Sequence, residues 1–418
     1  MLLLKEKIKN QLSLGLDARI MRVIDKIFDL AVGYGADEIF FEPQTNKLAV
    51  DFLVNGEKNY SIALPKKSEE AVIEGLKKIA GADLVNANLP PKGKFKKEFL
   101  GSKIIFSLST HPSAKGEKII IGLQKQKFEL REINRLGLTR KIKAAVKRNL
   151  EKRKGIVLVA GDFNAGRTTA LYSFLNYLNR PDLNLATVES EIVCDLPAVN
   201  QSCLDPISGF SSAHAVNSLK RQDADVAMIG ELNDKETIEA AFYLALSGHF
   251  VLGGIQGRDS RETFNFLNDL SIPKHLLTDV LKMIVSVGLV EKNCPHCLVK
   301  QKIGAETWKK IKSSFELAGL IKKMRQDKII SGKIKKPEDL VFYKSQGCSR
   351  CGNKGVLGKI GIFEVLEITN EAKKIIREGH YSFLEKAIVN QGGYLLREDA
   401  LIKAVSGLTT IDEVLKVV

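Results

Sequence analysis

The sequence predicts an α/β chain built on a phosphate-binding parallel sheet, and three observations predict it together. An unbroken apolar run, Ile156 to Ala160, passes through a glycine-framed loop, Gly161 to Gly166, into a segment with apolar residues at Leu171, Phe174, Leu175 and Leu178. Strand, loop and helix in that order are the setting that a P-loop requires. From Gly155 to about Gly288, strand-like runs at 155–160, 184–188, 225–229 and 249–255 alternate with helical ones, the rhythm of a parallel sheet with helices on its faces. Two Cys-x-x-Cys pairs, Cys294 with Cys297 and Cys348 with Cys351, lie in a C-terminal part that otherwise reads as helical.

Four parts are expected along the chain: 1–125, 126–154, 155–288 and 289–418. In the first, Leu14, Ile20, Val23, Ile24, Ile27, Phe28 and Ala31 keep a helical spacing. The period then changes: Ile39 to Phe41, Lys47 to Val54 and Tyr60 to Leu64 read as strands, with Asn55-Gly56 as a hairpin turn. Residues 68–80 return to helix, Pro90 to Lys97 read as a basic loop, and strands are expected near 103–108 and 118–123. This is an α+β domain. The stretch 126–154 is charged and helical in character, breaks at Leu136-Gly137-Leu138, and reads as a connection.

With 44% hydrophobic residues over 418 positions the chain can bury a core, and its net charge of +15 favours acidic partners such as nucleotide phosphates, nucleic acid or an anionic surface. The N-terminal apolar stretch, Leu2 to Leu4, is too short for a signal peptide. No apolar run reaches the roughly 18 residues of a membrane span, so a cytosolic chain is expected.

The P-loop works because backbone N–H groups and a helix N-terminus face the phosphates. Gly161, Asn164, Ala165, Gly166, Arg167, Thr168 and Thr169 are the candidate ATP-binding residues, with the Thr168 hydroxyl available to Mg²⁺. The usual pattern, G-x-x-x-x-G-K-[ST], has lysine where this chain has Arg167. Guanidinium is a planar fork and does not replace a compact ammonium, so weakened contact with the β/γ-phosphates is expected. Asp225 to Glu231 is an apolar strand ending in Gly-Glu, and Thr187-Val188-Glu189 ends another strand in the same way. Carboxylates at the C-terminal ends of parallel strands lie in the ligand crevice, which makes Glu231 and Glu189 the candidate catalytic residues, to orient water or hold it on Mg²⁺.

These motifs, taken with others, resemble the hexameric ATPases of type II secretion and type IV pilus assembly, over about residues 20–418. Gly35-Ala36-Asp37-Glu38-Ile39 with Glu42-Pro43 resembles the family's A-S-D-I-H-x-E-P, and Ser109-Thr110 to Pro112 with Gly116-Glu117-Lys118 its S-T-x-P-T…G-E-K. Arg221-Gln222-Asp223-Ala224-Asp225 with Ile229-Gly230-Glu231 resembles R-Q-D-P-D…I-G-E. Gly361-Ile362-Phe363-Glu364 and Gly407-Leu408-Thr409-Thr410 follow the family near the C-terminus. The resemblance implies a PAS-like N-terminal domain, a RecA-like P-loop NTPase core and a C-terminal helical part with a tetracysteine zinc subdomain. It also implies a homo-hexamer or a mixed hexamer at the cytoplasmic face of the inner membrane, acting on a membrane platform protein. It carries the expectation of a chain without the further upstream domain of many assembly-type members.

Departures from the family cluster where phosphate is held or attacked. Besides Arg167, the V-E-D-P-I-E box keeps Glu189 but has Ser190, Glu191 and Val193, and the S-T-L-H-T-N box reads Gly253 to Arg258, with Gln256 in place of histidine. Asn233 replaces arginine in G-E-I-R-D, and Val287-Gly288 replace Gln-Arg. Ser107, Gly122, Asp51 and Leu53 stand where the family has arginines that reach toward nucleotide. A motor-family protein with slow or lost ATP hydrolysis is therefore expected, with a non-catalytic partner or regulator of an active paralogue as the second reading. A nucleic-acid-binding protein is the third; Lys92, Lys94, Lys96 and Lys97 suggest it, but Phe95 is the only aromatic among them and a recognised DNA-binding motif is missing.

Two Cys-x-x-Cys turns each set two thiolates on one side, and together they close a tetrahedron around Zn²⁺. Cys294, Cys297, Cys348 and Cys351 are the expected ligands, with His296 outside the set. Cys194, Cys203, His111, His214, His275 and His380 belong to no constellation, and 305–345, with Trp308, reads as an amphipathic basic insertion.

Overall fold

Apolar residues at helical spacing bury one stripe of α1 (Leu16–Tyr34): Ile20, Val23, Ile24, Ile27, Phe28 and Ala31 are all interior. A computed structural model describes residues 16–54, 57–80, 92–99, 102–125, 130–204 and 211–417, so Leu14 and the Asn55-Gly56 turn lie outside the described residues. Two compact units, 1–127 and 128–418, make up the chain.

In the first unit α1 is followed by β1 (Glu38–Pro43), β2 (Lys47–Val54), β3 (Glu57–Pro65), α2 (Glu69–Ile79), β4 (Lys92–Phe99), β5 (Ser102–Ser113) and β6 (Gly116–Lys125). The six strands form one antiparallel sheet in the order β3-β2-β1-β6-β5-β4. Alternation puts Ile39, Phe41, Val50, Phe52, Ile119 and Ile121 into the core with α1 and α2. The stretch expected as a basic loop, Pro90 to Lys97, contributes β4 instead. Phe95 is the reason: its ring stacks on Phe106 at 4.9 Å and sits 5.4 Å from Phe28. One aromatic at the right register anchors an edge strand whose lysine-rich composition hides the alternation.

The second unit opens with α3 (Arg140–Lys152), β7 (Ile156–Ala160), α4 (Arg167–Leu178), β8 (Leu185–Glu189), β9 (Val199–Cys203), α5 (Ser212–Leu219), β10 (Val226–Leu232), α6 (Lys235–Leu246), β11 (Phe250–Ile255), α7 (Ser260–Asp269) and α8 (Lys274–Val280). It continues with β12 (Leu281–Asn293), β13 (Leu298–Gln301), α9 (Ala305–Ser314), α10 (Leu317–Gln326), β14 (Phe342–Ser345), β15 (Val356–Glu367), α11 (Asn370–Glu378), α12 (Leu384–Asn390), α13 (Leu396–Val405) and α14 (Ile411–Val417). The main sheet runs β15-β12-β7-β11-β10-β8-β9. Every neighbouring pair from β12 to β9 is parallel, and β15 is antiparallel on β12.

Three features differ from the sequence reading. The segment expected as a connection supplies α3, whose Ile142, Val146 and Leu150 pack with Val157, Val159 and Phe174. Fully burying such aliphatic side chains contributes about 1.5–3 kcal/mol each, so this helix belongs to the core. The division expected at 288 falls inside β12, which continues to Asn293. The C-terminal part, expected as helical outside the cysteines, also supplies β15, which pairs with β12 and is buried from Gly361 to Leu366. Gly358, Lys359, Gly361 and Glu364 interrupt its apolar run and mask it as a strand.

Candidate functional site

The parallel strands bring the candidate residues to one edge of the sheet, the edge of their C-terminal ends. Gly161 to Gly166 follow β7, Glu189 ends β8, Glu231 lies near the end of β10, and Gln256 follows β11, which runs between β7 and β10. The loop turns through Asn164 at φ 59° and Gly166 at φ 98°, left-handed values that glycine adopts without strain. Arg167, Thr168 and Thr169 form the first turn of α4. Among the described residues the Arg167 guanidinium makes no ion pair. The unpaired N–H groups of a helix start and a cation beside them form an anion site. The loop therefore fits nucleotide phosphates, and Thr168, exposed in the same turn, fits a Mg²⁺ ligand.

β10 shifts register between Ile229 and Leu232. Its Gly230 carbonyl then presses on Gly254 of β11 so closely that a side chain at 254 would collide with it. The threonine of the S-T-L-H-T-N box does not fit there, so Gly253-Gly254 is a backbone accommodation as well as a loss of polar groups.

The two glutamates have different surroundings. Glu189 is 3% exposed. Its carboxylate accepts hydrogen bonds from Tyr172 Oη at 2.5 Å, Thr187 Oγ1 at 2.6 Å and Gln201 Nε2 at 3.2 Å. Burial first, and the Glu189 carboxylate second, push the Tyr172 hydroxyl up, so it stays protonated as the donor. Tyr172 lies on α4 and Gln201 on β9, so Glu189 ties the phosphate-loop helix to β8 and β9. Both of its oxygens are engaged. Glu231 is exposed, and its Oε2 accepts from Asn233 Nδ2 at 3.0 Å and Ser190 Oγ at 3.3 Å. Tyr172, Gln201 and the Ser190 and Asn233 bonds were not legible in the sequence, because each joins residues across separate strands or helices and no spacing marks them. Tyr172→Phe is expected to destabilise the chain by about 1–3 kcal/mol, since it leaves a buried carboxylate short of a donor; urea unfolding of the two proteins measures it.

In the N-terminal unit, Leu53, Glu38, Gly122 and Ser107 form one row across β2, β1, β6 and β5, with Asp51 and Phe40 in the next row. They share the sheet face opposite the buried Ile39 and Phe41. Lys58 pairs there with Glu42 at 3.2 Å and Asp51 at 3.3 Å, and Lys118 pairs with Glu42 at 2.6 Å. Both ammonium groups lie over the Phe40 ring, at 5.1 and 5.3 Å. The Lys118 hydrogen bond, opposed by partial burial and seconded by Lys58, holds the Glu42 carboxyl below its usual range. Where the resemblance places arginines, this face carries serine, glycine, leucine and an aspartate paired with a lysine.

The four cysteine sulfurs converge, all within 4.8 Å of one another. Cys294 to Cys348 is 3.9 Å, Cys297 to Cys351 is 4.0 Å and Cys348 to Cys351 is 3.8 Å. Four sulfurs at about 2.3 Å from a tetrahedral Zn²⁺ lie about 3.8 Å apart, so the donor set fits the metal. Burial opposes ionisation of Cys351, but the N–H groups of Cys348 and Gly355, each 3.2 Å from its sulfur, outweigh it and bring the thiol down to about 6. His296 is not part of this group and receives the Arg350 guanidinium instead, with Nη1 2.9 Å from Nδ1. Among the described residues no helix is long and apolar enough to cross a membrane.

Glu364, in the Gly361 to Glu364 motif, is structural. It is 3% exposed, and its carboxylate accepts from Ser260 N at 3.0 Å and Leu396 N at 3.3 Å, so it caps the starts of α7 and α13. Burial pushes its carboxyl up to about 7.

A glycine-framed loop on a parallel sheet, with strand-end carboxylates and a tetracysteine group beyond it, defines a P-loop NTPase fold with a candidate metal subdomain. The chain belongs to the Type II/IV secretion system protein family, whose match spans residues 15–416. It is 30% identical over 403 residues to the type IV pilus assembly ATPase PilB of Pseudomonas aeruginosa, covering 96% of this chain and 68% of that protein. It is 28% identical over 402 residues to the type II secretion system ATPase E of Vibrio cholerae, covering 96% and 76%. Against PilB of Thermus thermophilus the identity is 29% over 413 residues, and the chain spans only 44% of that protein's length. The fold is similar to the Legionella pneumophila ATPase DotB, with a TM-score of 0.61 at 17% identity over 95% of this chain and 94% of that one. The pilus retraction motor PilT, solved with ADP, gives 0.59 at 18% identity over 94% and 96%.

Proposed function

We propose that this chain binds ATP as a member of the pilus-assembly and type II secretion motor family and hydrolyses it slowly or not at all. One contrast carries the reading: the phosphate loop is built as the fold requires, while the groups that would act on the γ-phosphate are replaced or neutralised. Backbone amides of Gly161, Asn164, Ala165 and Gly166, with Arg167 and Thr169, would hold the phosphates; Thr168 would reach Mg²⁺. Bound Mg²⁺ supplies charge neutralisation at the phosphates. Glu231 would accept a hydrogen bond from water beside it. Glu189, spent in its buried network, positions α4. Gln256 cannot serve as the family's histidine does, and the N-terminal sheet face offers no unpaired cation at the arginine positions. Loss of such a cation slows phosphoryl transfer on the order of 10³-fold or more.

The four cysteines would hold a structural Zn²⁺. The working assembly in this reading is a hexamer, homomeric or mixed with an active paralogue, peripheral to the cytoplasmic face of the inner membrane and in contact with a platform protein. A mixed assembly gives a non-catalytic subunit a role as partner or regulator. Steady-state ATP turnover by the purified chain is expected to fall at least about 100-fold below that of an active family member. A comparable rate, abolished by Glu231→Gln, would falsify this reading.

A further inference from the structure

We infer that Ser190 and Asn233 are positioning residues that jointly aim Glu231 at the water shell of a nucleotide-bound divalent cation. The inference rests on the nucleotide-binding reading above. It starts from the two hydrogen bonds on one carboxylate oxygen: Asn233 Nδ2 to Glu231 Oε2 at 3.0 Å, and Ser190 Oγ to the same oxygen at 3.3 Å. Among the described residues, Oε1 has no hydrogen-bond partner. One oxygen is fixed by neutral donors, and the other is left to solvent at the strand-end edge that holds the phosphate loop.

The two donors come from independent elements. Ser190 follows the last residue of β8, and Asn233 follows the last residue of β10; these strands are neighbours, with Val188 beside Ile229. Asn233 has no capping duty to explain it. Its neighbour Asp234 caps α6, accepting from Thr237 N and Thr237 Oγ1 at 2.8 Å each.

Both positions depart from the family pattern, which places aspartate at 190 and arginine at 233. The distances show why the exchanges belong together. A carboxylate at 190 would meet the Glu231 carboxylate at hydrogen-bond range, and two such groups cannot both stay ionised without a cation beside them. Replacing the arginine alone would leave that repulsion; replacing the aspartate alone would shift the local charge by +1. Serine and asparagine together keep the local charge unchanged and supply two neutral donors in place of an ion pair. Glu231 is thereby oriented by two neutral donors, while the arginine of the family pattern at 233 is absent. The site is set to hold a metal–nucleotide complex and not to turn it over.

Calorimetric titration of the full chain with ATP, in Mg²⁺ and in EDTA, tests this. The unaltered chain is expected to bind ATP about 10-fold more tightly with Mg²⁺, and Ser190→Ala/Asn233→Ala to retain about 2-fold of that gain. Its affinity in EDTA and its melting temperature should not change. Ser190→Thr, which keeps the hydroxyl, should retain the gain, and Glu231→Gln should remove it. A double variant with the full Mg²⁺ gain overturns the assignment, as does one that loses binding equally in both buffers. An unaltered chain that binds ATP without regard to Mg²⁺ overturns this inference alone. No ATP binding in either buffer removes the nucleotide reading and this inference with it.

Discussion

Cys351→Ser is expected to take the chain from about one equivalent of zinc to a small fraction of one, and to open the segment the metal closes. The cluster joins three pieces of chain. Cys294 follows β12, Cys297 leads into β13, and Cys348 and Cys351 follow β14. The segment from β13 to β14, with α9 and α10 inside it, is also held by an apolar core, where Ile311, Leu320, Met324 and Phe342 pack with Val290 of β12, Ile362 of β15 and Leu401 of α13. Cys294 N donates to Gly355 O at 2.9 Å, and Ser345 Oγ to Cys294 O at 2.9 Å. Structural zinc contributes on the order of 10 kcal/mol to small folds that depend on it; here the apolar core holds the helices, and the metal would fix the cysteine turns. The main sheet does not need the metal, because β7 to β12 pair through the backbone. Loss should therefore be local: proteolysis should begin at the cysteine turns, near 294–298 and 346–355, with the far-ultraviolet spectrum largely kept. Elemental analysis reads the metal directly. Native protein with less than about half an equivalent would count against a structural site.

Much of the fold was legible because burial imposed period. The stripe of α1, the runs at 156–160, 185–189, 226–232 and 250–255, and the turn at Gly161 to Gly166 each carried their own signal. What escaped was structure set by partners distant in sequence. β15 is a strand because β12 lies beside it. α3 is core because Val157, Val159 and Phe174 cover it, although its exposed face is crowded with lysine and arginine. β9, with only five residues and no apolar run, was not anticipated at all.

The candidate site divides in the same way. Residue types at strand ends and in the loop could be read directly, and the cysteines by spacing alone. The state of each side chain could not. Glu189 and Glu231 look alike in sequence, yet one is sealed under Tyr172 and the other faces solvent. The bulk charge also misdirects. Between residues 300 and 354 there are fifteen lysines and arginines against five acidic residues, so most of the excess sits in the cysteine-flanked insertion rather than in the phosphate loop.

Lys403→Met is expected to destabilise the second unit by about 3–5 kcal/mol near pH 8, because it strands a buried carboxylate. Asp399 is fully buried and Lys403 is 3% exposed; they pair one turn apart on α13. The same Asp399 oxygen accepts from Phe363 N at 2.7 Å, which fastens α13 to β15, and the ammonium lies 5.7 Å from the Phe363 ring centroid. Burial raises the Asp399 pKa and lowers that of Lys403, and each charge offsets the other's penalty. Without the lysine, Asp399 would fold only as the acid at modest cost. Its folded pKa would then lie above its unfolded value of about 3.9. The folded variant would bind the extra proton, so its stability would be greatest at low pH and lost as pH rises through the folded pKa. The penalty should thus be smaller at pH 5 than at pH 8. Asp399→Asn/Lys403→Met keeps an acceptor for Phe363 N and removes the charge, and should recover most of the loss at pH 8. Chemical denaturation of the three proteins at both pH values measures all of this. A single variant whose penalty is the same at pH 5 and pH 8 would show that Asp399 is solvated when its partner is gone, and that the pair is not sealed in the core.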